Sequence, residues 1–412
     1  MQTLLIRGGR PLAGHIRISG SKNAALPILA ASVLCTQGAV IHNCPRLTDV
    51  DAALNILEGL GAAVRLNGDV LEVDSRQVQP RAIPSALTGA MRGSVLFAGA
   101  MLGRFGQCRL CQPGGCALGR RPVDFHREGF LALGAGEASE DPGCFCTGLR
   151  GGRHALPYPS VGATENLILA ALGGEEETIL ENAAREPEIV CLCDFLRSGG
   201  CEIFGDGSSV IRICPGLPKK AELALIPDRM EAATFACAAA SAGGEICLEG
   251  AIPGQLAPVL DVLEQAGCRI CRRERSLELS GPALHGTAPI VTGPYPGFPT
   301  DAQAPFLAAM LRAEGETILT ETVFSDRMKQ IPELEAMGAR IGCRGDTAWV
   351  RGGKPLRGTE VQARDLRGGA ALAVAALAAE GETRLKGLHH LLRGYEDFSR
   401  KLRALGADAV AL

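Results

Sequence analysis

The chain has 412 residues, 46% of them hydrophobic and 21% charged, and a formal net charge of −3. The composition is globular, the length suits two or three domains rather than one core, and the charge balance gives no reason to expect nucleic-acid or membrane-surface binding. Aromatic residues are only 4%, so the core is expected to be built from Ala, Leu, Val, Ile and Cys.

At the N-terminus, Met1-Gln-Thr-Leu-Leu-Ile-Arg7 reads as the start of a strand, not as a charged region followed by a long apolar run. No apolar stretch reaches membrane-spanning length without interruption by Gly, Arg or Glu. A reducing cytoplasm with free thiols is therefore expected for the 16 cysteines. Cys108-x-x-Cys111 and Cys268-x-x-Cys271 have zinc-like spacing, and Cys144-x-Cys146 and Cys191-x-Cys193 come close to it. Each pair stands at a different point of the sequence pattern and none has a His cluster beside it. They read as small buried hydrophobes, and no metal is expected.

The first segment, Gly14-His-Ile-Arg-Ile-Ser-Gly20, alternates like a strand. Ser21 is placed to cap a helix from Lys22 to Leu34, with Pro27 near its start. Ala39 to Asn43 follows as a strand, and Thr48 as the cap of a helix over Asp49 to Gly61. Ala63 to Leu66 and Val70 to Val73 then form a hairpin across Asn67-Gly68-Asp69. This βαβαββ unit recurs six times at about 70 residues. Its closing motif reads Leu60-Gly61-Ala62, Leu133-Gly134-Ala135, Gly199-Gly200-Cys201, Ala266-Gly267-Cys268, Met337-Gly338-Ala339 and Leu405-Gly406-Ala407.

The first helix of the unit recurs from Arg92, Thr164, Arg229, Asp301 and Asp365. These helices are rich in Ala and apolar on most faces, so they are expected inside, with the sheets outside. The reading is α/β, with two inside-out domains of three units each. Residues 1–20 supply a strand before the first unit, and the last unit has little sequence after Ala407 for its final strand pair. The N-terminal strand is therefore expected to complete the C-terminal domain. The domains are expected over 21–228 and over 1–20 plus 229–412, with the site in the cleft between them.

The loops before the second helices carry Arg46, Arg121, Arg185, Arg327 and Arg393 at one equivalent point, where the fourth unit has Pro253-Gly254. An Arg ahead of a helix opposes the helix dipole, so it needs a reason. One is a structural ion pair, as for Arg185 beside Glu186. The other is an anion shared between guanidiniums and helix N-termini, read for Arg121, Arg327 and Arg393, with Lys22 and Arg92 adding to it. Unit two departs furthest, with the glycine-rich loop Gln112-Pro-Gly-Gly-Cys116-Ala-Leu-Gly-Arg-Arg121-Pro122-Val-Asp124. Cations beside Cys116 favour its thiolate, the nucleophilic form. Asp301 and Asp365 start helices, where each is either a cap or a functional carboxylate; Asp228 reads as structural.

Several segments together resemble the UDP-N-acetylglucosamine enolpyruvyl transferase family. They are Ser19-Gly-Ser-Lys22-Asn23-Ala-Ala-Leu-Pro27, Pro113-Gly-Gly-Cys116 through Arg121-Pro-Val-Asp124, Ser160-Val-Gly-Ala-Thr164 and Glu181-Asn-Ala-Ala-Arg-Glu-Pro-Glu-Ile-Val190. Gly297-Phe-Pro-Thr-Asp301, Glu321-Thr-Val-Phe324 with Arg327, Asp365-Leu-Arg367 and Arg393-Gly-Tyr395 complete the series along the whole chain. The resemblance implies transfer of the enolpyruvyl group of phosphoenolpyruvate to the 3-hydroxyl of UDP-N-acetylglucosamine with release of phosphate. That is the first committed step of peptidoglycan synthesis, in a cytoplasmic enzyme without metal or organic cofactor.

By the same resemblance Cys116 is the general acid and the target of fosfomycin, and Asp301 takes the proton of the sugar hydroxyl. Lys22, Arg92, Arg121 and Arg393 hold phosphoenolpyruvate, supported by Arg327, Asp365 and Arg367. Asn23 contacts the sugar or the intermediate. Pro122, Val123, Asp124, Phe125, Ser160, Val161, Gly162 and Val323 take the uridine diphosphate moiety. A monomer is expected. Ser325, Arg120 and the segment 136–157 depart from the family pattern. A 3-phosphoshikimate enolpyruvyl transferase shares the implied fold but lacks the Cys loop. A non-catalytic nucleotide-sugar-binding relative is the alternative of another class.

Overall fold

The structure is a computed structural model that describes residues 3–110, 114, 123–139, 141, 143–146, 148–281 and 283–412. The described chain forms two compact units, one of residues 3–19 and 227–412, the other of residues 20–110, 114 and 123–226.

Each unit is built on three apolar helices. In the unit of residues 20–226 they are α1 (Lys22–Ala31), α2 (Leu96–Phe105) and α3 (Val161–Ala171). In the other they are α4 (Arg229–Ala242), α5 (Thr300–Met310) and α6 (Leu366–Ala378). Every residue of α4 from Arg229 to Ser241 is buried, which suits a helix apolar on all faces. Small side chains let these helices approach closely. A Cβ built on Gly99 of α2 would lie 2.2 Å from the Asn166 carbonyl oxygen of α3, so no larger residue fits there. The second helix is shorter at its start than expected: Arg92–Val95 is a 3₁₀ turn, and α2 proper begins at Leu96.

Six sheets among the described residues lie against these helices, and five share one plan. An edge strand runs parallel to a central strand, and two antiparallel strands follow, joined as a hairpin in four of the five. In the fifth repeat the order is Ile290–Val291, Glu316–Thr320, Thr347–Arg351 and Ile341–Arg344. Thr347–Arg351 alternates between buried and exposed residues, as expected of strands with one face on the helices. The second repeat shows three described strands, Cys108–Arg109, Cys144–Cys146 and Gly136–Glu137.

The chain ends are traded between repeats. Thr3–Arg7 pairs antiparallel with both Glu382–Lys386 and Asp408–Ala411, so it fills the sheet of the sixth repeat. The strand read at Gly14 to Gly20 is Leu12–Arg17, and it does not serve the first repeat. It pairs parallel with Gly244–Glu249 of the fourth. The corresponding edge of the first repeat, beside Gly38–His42, is Lys220–Ala224. Alternation along a strand reveals the strand but not its partner. Thr48 is likewise the first residue inside its helix, Thr48–Leu60, with Leu47 in the cap position.

None of the described cysteines is in a disulfide. Burial raises the thiol pKa of Cys35, Cys191 and Cys268 to about 12, which makes them inert packing groups. Among the described residues no group of three or more His, Cys, Asp or Glu could hold a metal ion, and no helix is long and apolar enough to cross a membrane.

Candidate active site

Three aspartates begin the three central helices of the unit of residues 227–412, and the structure separates their roles. Asp228 caps α4: its Oδ1 accepts from the N–H groups of Met230 at 2.8 Å and Glu231 at 2.9 Å. Asp365 caps α6 in the same way, accepting from Arg367 at 3.0 Å and Gly368 at 2.9 Å. Asp301 does not cap. Pro299 occupies the cap position of α5, and the Asp301 carboxylate lies between two arginines, accepting from Arg327 Nη2 and, at 2.8 Å, from Arg367 Nη2.

Both arginines are buried, with side chains 4% and 3% exposed, whereas Asp301 keeps 25% of its side chain in contact with solvent. Burial alone would lower the Arg367 pKa, but Asp301 and the other acidic groups outweigh it and raise it. Arg367 also donates to Tyr395 Oη at 3.0 Å, and that oxygen lies 2.8 Å from Thr234 Oγ1 on α4. This chain of contacts links the starts of α4, α5 and α6, where the free N–H groups of helix termini favour anions.

Glu321 organises the neighbouring loop. Its carboxylate accepts from Thr292 Oγ1 at 2.9 Å, Thr300 Oγ1 at 2.8 Å and the N–H groups of Val323 at 2.8 Å and Phe324 at 3.1 Å. It thereby sets the backbone at Val323 and the start of α5. Arg327 in turn packs its guanidinium over the Phe324 ring, 5.3 Å from the centroid. Arg393 follows the short helix Leu388–Leu391 and is half-buried beside His390, whose pKa burial and the charges of His389 and Arg393 lower.

The arginines at equivalent loop points also separate. Arg46 donates to the Gly68 carbonyl at 3.2 Å and Arg185 to that of Gly207 at 3.2 Å. Each glycine sits in its repeat's hairpin turn with positive φ, and the arginine fastens that turn. Arg185 therefore does not make the ion pair with Glu186 read from the sequence. Arg327, at the same point of its repeat, reaches Asp301 instead.

In the unit of residues 20–226, Ser21 caps α1, accepting from the Ala24 N–H at 3.3 Å. Lys22 is the first residue of α1, an unfavourable place for a cation, and its Nζ lies 3.5 Å from Asp49 Oδ2. Asn23 is half-buried beside it. Arg92 is half-buried in its 3₁₀ turn, where burial lowers its pKa. Val123, Asp124 and Phe125 form the start of the helix Asp124–Ala132. Ser160 caps α3, accepting from the Ala163 N–H at 3.4 Å, and Val161 and Gly162 make its first turn. Cys116, Arg121 and Pro122 lie outside the described residues, as does Arg120. Gly114 of the same loop is described: its N–H donates to the Thr88 carbonyl at 3.1 Å, and a Cβ there would lie 1.7 Å from the Gly89 oxygen.

Asp49, Glu321 and Thr234 are the members that motif reading passed over. Glu321 stood inside a quoted motif, and Asp49 three positions past the loop arginine Arg46, yet their partners are distant in sequence.

The family model described as EPSP synthase (3-phosphoshikimate 1-carboxyvinyltransferase) matches residues 6–402. A UDP-N-acetylglucosamine 1-carboxyvinyltransferase of Oleidesulfovibrio alaskensis is 44% identical over 413 residues, covering 99% of each chain. One of the same name from Synechocystis is 44% identical over 98% of this chain and 94% of its own. The enolpyruvyl transferase NikO of Streptomyces tendae superposes with a TM-score of 0.88 at 27% identity, over 100% of this chain and 99% of that one. An EPSP synthase of Acinetobacter baumannii, at 19% identity and a TM-score of 0.77 over 100% of both chains, shares the fold.

Proposed function

The chain belongs to the enolpyruvyl transferase family, among the UDP-N-acetylglucosamine 1-carboxyvinyltransferases, and from that premise we infer that it transfers the enolpyruvyl group of phosphoenolpyruvate to the 3-hydroxyl of UDP-N-acetylglucosamine and releases phosphate. The reaction feeds peptidoglycan synthesis, and the cytoplasm is the compartment this reading assigns.

The chemistry sets the demands. Proton addition to the methylene carbon of phosphoenolpyruvate generates an oxocarbenium-like centre, and the sugar oxygen bonds to that centre as its own proton leaves. Loss of phosphate together with a methyl proton restores the double bond. The reaction thus needs an acid, a base and cations for the phosphate and carboxylate. Cys116 is assigned as the acid and Asp301 as the base. Lys22, Arg92, Arg121 and Arg393 are assigned to the anionic groups, and Asn23 to the sugar. Val123 to Phe125, Ser160 to Gly162 and Val323, with Pro122, are assigned to the nucleotide.

The observation that supports this reading most is the Asp301 carboxylate. It does not cap its own helix, it is partly open to solvent, and two buried arginines fix both its oxygens. A carboxylate held that way keeps its orientation through a proton transfer. Arg327 and Arg367 are positioning residues in this account, and Asp365 holds the Arg367 backbone.

Phosphate release tests the reading. We expect release from phosphoenolpyruvate with UDP-N-acetylglucosamine and none with 3-phosphoshikimate. Cys116→Ala and Asp301→Asn should each lower the rate by about a hundredfold or more, the scale of a lost general acid or base. Release with 3-phosphoshikimate alone would overturn the substrate assignment. Unchanged rates in either variant would overturn that residue's role.

A further inference from the structure

One side chain joins the two segments assigned to the nucleotide. His126, in the helix that Asp124 begins, is only 4% exposed, and its Nδ1 lies 2.9 Å from Asn166 Nδ2 on α3. Asn166 is itself fixed. Its Oδ1 accepts from the Gly99 N–H at 2.7 Å, and its Nδ2 donates to the Val95 carbonyl at 3.1 Å. Exchanging the amide N and O would set donor against donor and acceptor against acceptor. The nitrogen is therefore the donor to His126, and Nδ1 is an acceptor.

A neutral imidazole that accepts at Nδ1 carries its proton on Nε2. Burial, helped by the charge of Arg92, lowers the His126 pKa to about 4 and keeps the ring neutral at neutral pH. The ring edge carrying Nε2 faces the first turn of α3: a Cβ on Gly162 would lie 3.6 Å from Cε1 and 3.9 Å from Nε2. Among the described residues Nε2 has no hydrogen-bond partner. An oriented N–H without a partner among the described residues, beside the start of an eleven-residue helix, is a donor waiting for an anion.

We propose that His126 Nε2–H donates to a diphosphate oxygen of the nucleotide sugar, with Asn166 as the residue that fixes its tautomer. The inference rests on the nucleotide-sugar reading given above. Being neutral, the donor adds a directed hydrogen bond without another charge, and the acceptor's charge makes that bond strong. The imidazole adds direction at a site where Arg92 already supplies a cation.

The test is UDP binding to the full chain by calorimetry, compared among wild type, His126→Gln and His126→Phe. His126→Phe should lose about tenfold or more in UDP affinity, the scale of one hydrogen bond to a charged group. His126→Gln, whose amide can donate from a similar point, should recover part of the loss. KM for phosphoenolpyruvate should stay unchanged in both variants. In wild type, nitrogen-15 spectra of the imidazole should show Nε2 protonated at neutral pH and its proton shifting on saturation with UDP. Unaltered affinity in folded His126→Phe, protonation at Nδ1, or an Nε2 proton indifferent to UDP would each overturn the proposal. Failure of wild type to bind UDP at all would instead remove the nucleotide-sugar reading, and this proposal with it.

Discussion

Equivalent positions in a repeat need not do equivalent work, and the three aspartates of α4, α5 and α6 show why. Two spend their oxygens on helix N–H groups, while Asp301 is turned to Arg327 and Arg367. His126 offers a prediction at this scale. A histidine ordinarily titrates near 6.5, but the fold holds His126 at about 4. Unfolding removes that hold, so as the pH falls the unfolded chain takes up the proton first. The contribution to stability is whole above pH 6.5 and is lost as the pH drops through 4, about 3 kcal/mol at 1.36 kcal/mol per pH unit. Denaturant unfolding of the ligand-free protein should show wild type losing about that much more than His126→Gln between these pH values. Parallel pH profiles would contradict it.

Candidate residues were legible in the sequence on aligning one unit with another. Arg327 shares its loop point with four other arginines, Lys22 and Asp301 stand at helix starts, and the Cys116 loop is where unit two departs furthest. Their partners were not legible: Asp49 meets Lys22, and Glu321 meets Thr292 and Thr300, only once the chain is folded. The two readings of the loop arginines could not be divided from sequence either, because a hairpin carbonyl and a carboxylate are both acceptors for the same side chain.

Among the elements, the close packing of the central helices carries the most exacting requirement. Gly99 places α2 against α3 so that its N–H reaches Asn166 Oδ1. Gly99→Ala would put a methyl 2.2 Å from the Asn166 carbonyl oxygen and 2.3 Å from Oδ1, both impossible without a shift. Overpacking of this kind costs about 1–3 kcal/mol, and here it also displaces the amide that orients His126. Thermal unfolding of Gly99→Ala should show that loss, with weakened UDP affinity accompanying it; wild-type stability and affinity would contradict the account. The helices themselves were readable as apolar, Ala-rich runs. The strand exchange was not, since pairing Leu12–Arg17 with Gly244–Glu249, and Lys220–Ala224 with Gly38–His42, is a choice among partners of similar pattern.

On the scale of the whole molecule, the chain is two units of one plan, each with three buried helices whose starts gather charged side chains. In the unit of residues 227–412 those starts are linked through Asp301, Arg367, Tyr395 and Thr234. In the other they bring together Asn166, His126 and the turn that carries Arg92. The repeat places anion-favouring helix starts in both units, and the proposed reaction assigns its acid, its base and its nucleotide donors to a few positions near them. The most direct test follows the transferred carbon. Phosphoenolpyruvate labelled with carbon-13 at its enol carbon is turned over with UDP-N-acetylglucosamine, and the sugar product is read by NMR. The account predicts the label as an enol ether on the 3-oxygen of the sugar, with one phosphate released for each. Label remaining in phosphoenolpyruvate or pyruvate, or bonded to another oxygen of the sugar, would contradict it.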